Sequence, residues 1–388
     1  MNLYIHIPFC HRRCSYCDFN TYANMDDRLE AYVQALCNEL LMLAALYPPD
    51  QPAFQPSIFF GGGTPSMLTL NQMERILDAA DTIVPLTDAE ITMEANPGSV
   101  LGNAMPAVDY LRGMRALGVN RLSLGVQTLD DPTLRVLGRI HTAADARRCV
   151  EDARQAGFDN LNLDFIFGLP GQTLEQWDAT LAEIVTWGSD HFSLYSLILE
   201  ERTPLYAQVT AGHVSIPDDD TAGAMYELAM ERFAAAGYTQ YEISNWAKPA
   251  TPAAPLPVCF HNSAYWLNLD YLAAGAGAHG HVYPERYYNI LGIDDYITAV
   301  RAGERPIAGT TPLTHRDLCA ETMFMGLRLN QGVAFDHFAQ RCGITMDEVD
   351  AEVIADLVTQ GLLLRDDSGV RLTDRGRMLG NRVFERFV

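Results

Sequence analysis

The chain reads as an α/β protein: a parallel sheet clothed by helices, as an incomplete (β/α) barrel or a strongly curved open sheet, then a small, mostly α-helical C-terminal domain. Three observations predict this. Over roughly the first 250 residues, apolar β-branched runs of about seven residues alternate with longer stretches of helical period. A Pro/Ala-rich stretch over 248–257 then breaks the rhythm. From about residue 310 onward the texture turns helical. Length fits this reading, since 388 residues suffice for two or three domains. The 48% hydrophobic and 20% charged composition is that of an ordinary globular protein and excludes a disordered or fibrous chain. A chain of this size buries a large core and does not depend on disulfide staples.

In order, strands are expected over 3–9, 57–61, 90–94, 121–127, 161–167 and 191–198. Between them, helices are expected over 28–45, 70–80, 108–117, 143–156 and 174–186, with a further helix at 220–236 leading to a strand at 239–244. Strict alternation of this kind calls for parallel strands joined by right-handed crossovers. The stretch 259–288 is dense in aromatics, His and Gly and has no clear period. Thr314-His315-Arg316-Asp317 before an apolar run is a helix start. The tail, 353–388, reads as two helices around a polar turn at Asp366-Asp367-Ser368-Gly369. These textures divide the chain into a barrel over 1–247, a linker and packing segment over 248–309, and a helical domain over 310–388.

With 27 basic against 49 acidic residues the net charge is −22, which repels nucleic-acid phosphates and anionic lipid head groups. No nucleic-acid partner is expected. No run of about 18 consecutive apolar residues suggests an integral membrane segment. Met1 leads directly into a strand-like alternation without a basic leader, so the expected setting is the cytoplasm, where thiols stay reduced. Three of the eight Cys, namely Cys10, Cys14 and Cys17, crowd into the loop after the first strand. Zinc favours four closed ligands, and no fourth Cys or well-aimed His follows in that loop. Three thiolates suit a [4Fe–4S] cluster with one iron left open. A zinc site or three unrelated core cysteines are the plainer alternatives.

In α/β barrels the chemistry gathers at the C-terminal ends of the strands. Here those ends carry the Cys loop, Gly61-Gly62-Gly63-Thr64-Pro65, Glu94-Ala95-Asn96-Pro97 and Gln127, with Asp164 on the fifth strand. Glycines let backbone approach a ligand closely. Glu94 is placed to accept from an ammonium or a ribose hydroxyl, and Asp164 would be costly to bury unpaired. Each residue alone also has a bland reading, as a turn, a surface acid or a strand-end polar group.

The segment from Tyr4 through Cys10-x3-Cys14-x-Tyr16-Cys17-Asp18-Phe19 resembles the radical S-adenosylmethionine (SAM) superfamily, and more narrowly the oxygen-independent coproporphyrinogen III oxidase group. Gly61–Thr64, Met93–Pro97, Arg121–Gln127, Leu137–His141 and the stretch from Asn162 to Pro170 resemble that group's strand-end motifs. The resemblance implies a radical-SAM partial (β/α)6 TIM-like barrel with a [4Fe–4S] cluster on Cys10, Cys14 and Cys17. It further implies SAM contacts from Tyr4, Tyr16, Gly62, Gly63, Thr64, Glu94, Gln127, Arg139 and Asp164, with Tyr16 on the adenine side and Arg139 on a carboxylate. The cluster would then cleave SAM reductively, with the protein supplying orientation and exclusion of solvent.

Two departures separate this chain from the oxidase pattern C-x3-C-x2-C-x-C. Phe19 stands at the last Cys position, and the chain starts at the barrel strand. Both resemble the sister branch of heme chaperones. In that branch His261-Asn262-Ser263-Ala264-Tyr265-Trp266 is a heme-associated motif, implying heme binding by His261, Asn262, Tyr265 and Trp266. Imidazole is a common axial ligand to heme iron, and Tyr and Trp offer flat apolar area. A loop packed by its own aromatics is the plainer reading of the same residues. Cys259 is a lesser candidate ligand, His279 reads as shaping the Gly-rich turn or the site mouth, and Arg286 or Arg301 are candidate propionate donors. The function implied is a chaperone that carries heme to apo-hemoproteins, respiratory ones among the candidates, with a homodimer as one open state. The competing reading is an oxygen-independent coproporphyrinogen III dehydrogenase or another radical SAM enzyme.

Overall fold

A computed structural model describes residues 1–47 and 54–388. Six βα units run as expected. The strands are β1 (Asn2–Ile7), β2 (Ser57–Gly62), β3 (Glu90–Ala95), β4 (Arg121–Gln127), β5 (Leu161–Phe167) and β6 (His191–Ser196). Their helices are α1 (Leu29–Leu46), α2 (Leu70–Asp81), α3 (Ala107–Ala116), α4 (Ala143–Gln155), α5 (Leu174–Ile184) and α6 (Asp219–Ala235). The six strands are parallel neighbours in chain order. Strands buried on both faces form where β-branched and aromatic residues dominate, and Leu3, Ile5, Ile58, Phe60, Ile91, Leu124, Leu163 and Phe165 are fully buried here. Helix starts are fixed locally: Thr69, Thr142 and Thr173 each close a capping box with the residue three positions on.

The sheet does not close. β7 (Thr239–Glu242) and β8 (Asn245–Ala247) form an antiparallel ribbon beside β6. On the other side, β9 (Tyr271–Ala274) lies parallel to β1, and β10 (His279–Val282), β11 (Glu285–Asn289) and β12 (Ile307–Pro312) follow antiparallel. The order across the twelve strands is β12-β11-β10-β9-β1-β2-β3-β4-β5-β6-β8-β7, so β12 and β7 end the sheet without pairing with each other, and Leu329 and Asn330 bridge to the outer side of β7. The 248–309 segment thus packs on the barrel by extending its sheet, and β12 crosses the boundary expected at 309. Between β8 and β9, helix α7 (Phe260–Trp266) lies against β2.

The C-terminal part holds α8 (Ile293–Arg301) against α1, then α9 (His315–Gly326), α10 (Phe335–Cys342) and α11 (Met346–Thr359). A small sheet of β13 (Val333–Ala334), β14 (Leu363–Arg365) and β15 (Gly369–Leu372) packs with them, and two short helices, Asp374–Met378 and Gly380–Phe384, follow. The polar turn at 366–369 therefore joins two strands, where the sequence suggested two helices: Leu363, Val370 and Leu372 are buried in a strand-like alternation. Among the described residues, the segment Asp26–Leu46 that includes α1 is long and apolar enough to cross a membrane by composition. Half of it is buried, however, and Tyr32, Val33, Leu36 and Leu40 face the barrel core. Its single interior carboxyl, Glu39, is also buried and hydrogen-bonded to the C-terminal side of the sheet. All eight cysteines are free.

Candidate functional site

The loop leaving β1 carries the three thiols. Cys10 is buried, and burial pushes its thiol up to about 11, with the neighbouring Cys17 and Cys14 adding to the shift. Cys17 is raised in the same way. Two donors already address the sulfurs: Thr64 Oγ1 donates to Cys10 Sγ at 3.5 Å and an Arg139 guanidinium N–H donates to Cys14 Sγ at 3.6 Å. Among the described residues no three such side chains stand converged at metal-ligand distance. The donor set nevertheless fits a cluster. Three soft thiols share one loop, their charges bear on one another, and a cation and a hydroxyl are in place to stabilise thiolate sulfur.

The next strand ends build a cradle beside them. Gly62 sits at φ +111°, and a Cβ there would lie 2.4 Å from the His6 ring. At Gly63 a Cβ would meet the Phe9 carbonyl oxygen at 2.6 Å. No other residue type fits this turn. The Gly62 N–H donates to Glu94 Oε2 at 3.1 Å. Glu94 is pushed up to about 8, by burial first and then by the charge of Asp164. Asp164 is raised by burial although Ser123 Oγ and Asn162 Nδ2 both donate to it. Gln127 ends β4 at φ +72°, beyond a register shift between Gly125 and Gln127. That bulge turns its side chain out of the strand's alternation. Arg139, partly buried, donates to the Gly125 carbonyl and keeps its Nε without a partner. Tyr16 packs into a small apolar cluster with Leu137, Ile166 and Leu205, and Tyr4 donates to or accepts from His6 Nδ1 at 2.9 Å.

Two cavities meet at these residues. An inner chamber of about 160 Å³ is lined by Glu94, Asp164, Arg121, His261, Asn262 and Tyr265, among others. An outer cavity of about 710 Å³ opens over Tyr4, Gly62, Glu94 and Tyr265 toward Phe19 and His279. Tyr4, Glu94 and Tyr265 belong to both.

The His261 motif divides between two places. His261 is buried, stacks on Phe59 with ring centroids 5.1 Å apart, and has both ring nitrogens engaged. Nδ1 is 2.8 Å from Ser57 Oγ, and Nε2 is 2.7 Å from the Tyr265 hydroxyl. Burial pushes it down to about 3, so its ring is neutral. Trp266 points elsewhere, under the Arg328 guanidinium, 4.5 Å from its ring centroid. Cys259 is buried against Glu90, its thiol pushed up to about 12 by that burial. Arg286 is taken by a bidentate ion pair with Glu321, at 3.0 and 2.8 Å, and Arg301 is exposed at the end of α8. Of the two candidate propionate donors, Arg286 is thus already committed.

Sequence reasoning did not single out Arg121, whose buried guanidinium has an unpartnered Nε and lines the inner chamber. Nor did it single out Arg13 and Arg202, which line the outer cavity. Arg121 stood within a quoted motif and Arg13 beside a Cys, so position alone could have marked both.

Residues 4–184 match the radical SAM superfamily, and residues 313–379 match the HemN C-terminal domain. The heme chaperone HemW of Bacillus subtilis is 37% identical, with 99% of this chain and 98% of the relative covered. The heme chaperone HemW of Escherichia coli is 35% identical over 100% of this chain and 98% of its own length. The mitochondrial radical S-adenosyl methionine domain-containing protein 1 of Mus musculus is 36% identical, covering 96% of this chain and 84% of the relative. Among solved structures, the coproporphyrinogen III oxidase HemN of Escherichia coli aligns with a TM-score of 0.81 at 23% identity, over 100% of this chain and 89% of that one.

Proposed function

The chain belongs to the radical SAM superfamily, in the family of its HemW relatives, and from that premise we propose that it is a heme chaperone, binding heme and passing it to apo-hemoproteins. The observation that carries this reading is the outer cavity of about 710 Å³, set directly against the thiol loop and edged by the exposed side chains of Phe19 and Leu291. A cavity of that size takes a ligand far larger than a metal ion, and exposed apolar edges favour a flat apolar guest.

Cys10, Cys14 and Cys17 are the residues that would hold a [4Fe–4S] cluster. Such a cluster, when bound, supplies an open iron for SAM and the electron for its reductive cleavage. The chain's own contributions are local. Thr64 and Arg139 donate hydrogen bonds to thiolate sulfur. The Gly62–Gly63 turn brings backbone within reach of a ligand, and Glu94 beside it accepts from an ammonium once it is ionised. Gln127, Asp164, Tyr4 and Tyr16 shape the remaining wall of the SAM site. In the His261 motif, Asn262 and Tyr265 wall the inner chamber and Tyr265 also faces the outer cavity. A cytoplasmic setting with reduced thiols accompanies this reading.

The dehydrogenase alternative draws on the fold alone, and the position of the oxidase pattern's last Cys holds Phe19, an exposed cavity-edge residue. The test is an anaerobic hemin titration of cluster-reconstituted full-length protein, read in the Soret band, followed by mixing with apomyoglobin. Saturable binding and heme transfer are expected. No saturable binding overturns the proposal, as does conversion of coproporphyrinogen III to protoporphyrinogen IX.

A further inference from the structure

The histidines around the two cavities differ in one respect that decides which can bind iron: whether a ring nitrogen is free. His6 has both engaged, with the Tyr4 hydroxyl and the Asn20 carbonyl, each at 2.9 Å. His261 has both engaged, and its Nε2 partner Tyr265 stands between it and the outer cavity's wall. His191 and His141, deeper in the barrel, are each held at both nitrogens as well. His281 has an unpartnered Nε2 but is buried and lines neither cavity.

His279 is the exception. It opens β10, is exposed, lines the outer cavity, and has no hydrogen-bond partner for its ring among the described residues. Its ring is steadied from behind by Tyr288, stacked at 5.5 Å with an interplanar angle of 22°. Partial burial lowers its pKa, which favours the neutral ring that can coordinate iron. The turn that delivers it requires glycine at two positions. Gly275 and Gly277 hold positive φ, and Cβ atoms there would meet the His6 carbonyl at 2.5 Å and Asn20 Nδ2 at 2.4 Å.

The rest of the cavity suits a porphyrin in kind. Phe19 and Leu291 present 68% and 53% of their surface to solvent at its edge, with Tyr22 beside them. Arg202 lines it and makes no ion pair among the described residues, and Arg13 lines it with one contact to the Cys17 carbonyl at 3.3 Å. Two acids, Asp18 and Glu94, line it too, and among the described residues Arg13 and Arg202 are the permanent cations in its lining.

We propose that heme seats on the Phe19, Leu291 and His279 side of the outer cavity, leaving its Tyr4, Gly62 and Glu94 side to SAM, with His279 as its axial ligand and with Arg202 and Arg13 addressing its propionates. This rests on the heme-chaperone reading and deepens it by moving iron ligation from α7 to the tip of β10. Imidazole coordination and a propionate–guanidinium pair are separable contributions.

The test uses the cluster-reconstituted full chain under anaerobic conditions, with hemin and hemin dimethyl ester as probes and Soret position and affinity as readouts. His279→Ala is expected to weaken hemin binding at least about tenfold and to shift the Soret band, with millimolar imidazole restoring the wild-type spectrum. The dimethyl ester is expected to bind wild type more weakly than hemin, and Arg202→Gln to narrow that gap. An unchanged band and affinity in His279→Ala overturn the assignment, as does a loss that imidazole does not rescue. If His261→Ala moves the band while His279→Ala does not, ligation belongs to the motif on α7. No saturable binding by wild type overturns the chaperone reading itself, an outcome distinct from binding that ignores His279.

Discussion

Glu94 is a carboxyl held in its neutral form by its surroundings. An unfolded glutamate ionises near 4.5, while in the folded chain burial and Asp164 move it to about 8. Between those values the folded chain keeps a proton that the unfolded chain has released, so rising pH favours unfolding. Glu94→Gln keeps an acceptor for the Gly62 N–H but cannot ionise. Its stability, read from thermal midpoints, is expected to exceed that of wild type by a margin that grows from pH 5.5 to pH 8, reaching on the order of a few kcal/mol. A margin constant across that range would mean that ionisation is not the cause. Gln127 shows strain of a different kind. A side chain at φ +72° is unfavourable by about 1 kcal/mol or more, and such positions persist where the surrounding structure over-determines them. Its identity was legible as a strand-end polar residue, but its backbone was not, because the bulge that creates it depends on pairing with β5. His261 was similarly half legible. The motif marked it, yet its Ser57 partner lies 204 residues away in sequence, and no local pattern announces such a bond.

At the scale of elements, α1 is tied to the turn after β9, to β11 and to α8 through one buried carboxyl. Glu39 accepts from the Gly275 N–H at 2.7 Å, Asn289 Nδ2 at 2.6 Å and the Tyr296 hydroxyl at 2.5 Å. Glu39→Gln would set an amide donor against these donors and is expected to lower the urea unfolding midpoint, by about 1–3 kcal/mol in stability. A midpoint equal to wild type would show that the three bonds are replaceable. The barrel strands were legible because each is a run of apolar residues followed by a helix, a pattern with two periods. Strands β4 and β5 match residue for residue. The ribbon β9–β12 was not legible: these strands are four to six residues long, rich in Tyr, His and Gly, and held by pairing with β1 and one another. The short helices at Pro97–Leu101 and Asp131–Val136 went unseen for the same reason, being set by one capping side chain each, Asn96 and Asp130.

Across the whole molecule, the C-terminal domain is clamped to the barrel by a few polar bridges. Arg286 on β11 pairs with Glu321 on α9, Arg341 on α10 pairs with Asp270 at 2.6 Å, and Asn268 Nδ2 donates to Thr322 Oγ1 at 3.1 Å. Arg286→Ala removes a largely shielded bidentate pair and leaves Glu321 unpaired, so stability is expected to fall by about 1–3 kcal/mol. Because Arg286 is spent on that clamp, hemin affinity should stay within about twofold of wild type. A large loss of affinity would return Arg286 to the propionates. The βα alternation of the first six strands was readable from texture, whereas these clamps join residues 35 to 71 positions apart and leave no periodic trace. The two ends of the sheet, β12 and β7, are not paired with each other, and that has a mechanical consequence. In a closed barrel the girth is fixed by strand number and stagger, and widening it means breaking ladder bonds. A ring cut once behaves like a spring clip: its bore can be altered by flexing the twist between strands, with each rung intact, so a rigid disc-shaped guest could be admitted and released by elastic strain rather than by unfolding any part of the wall.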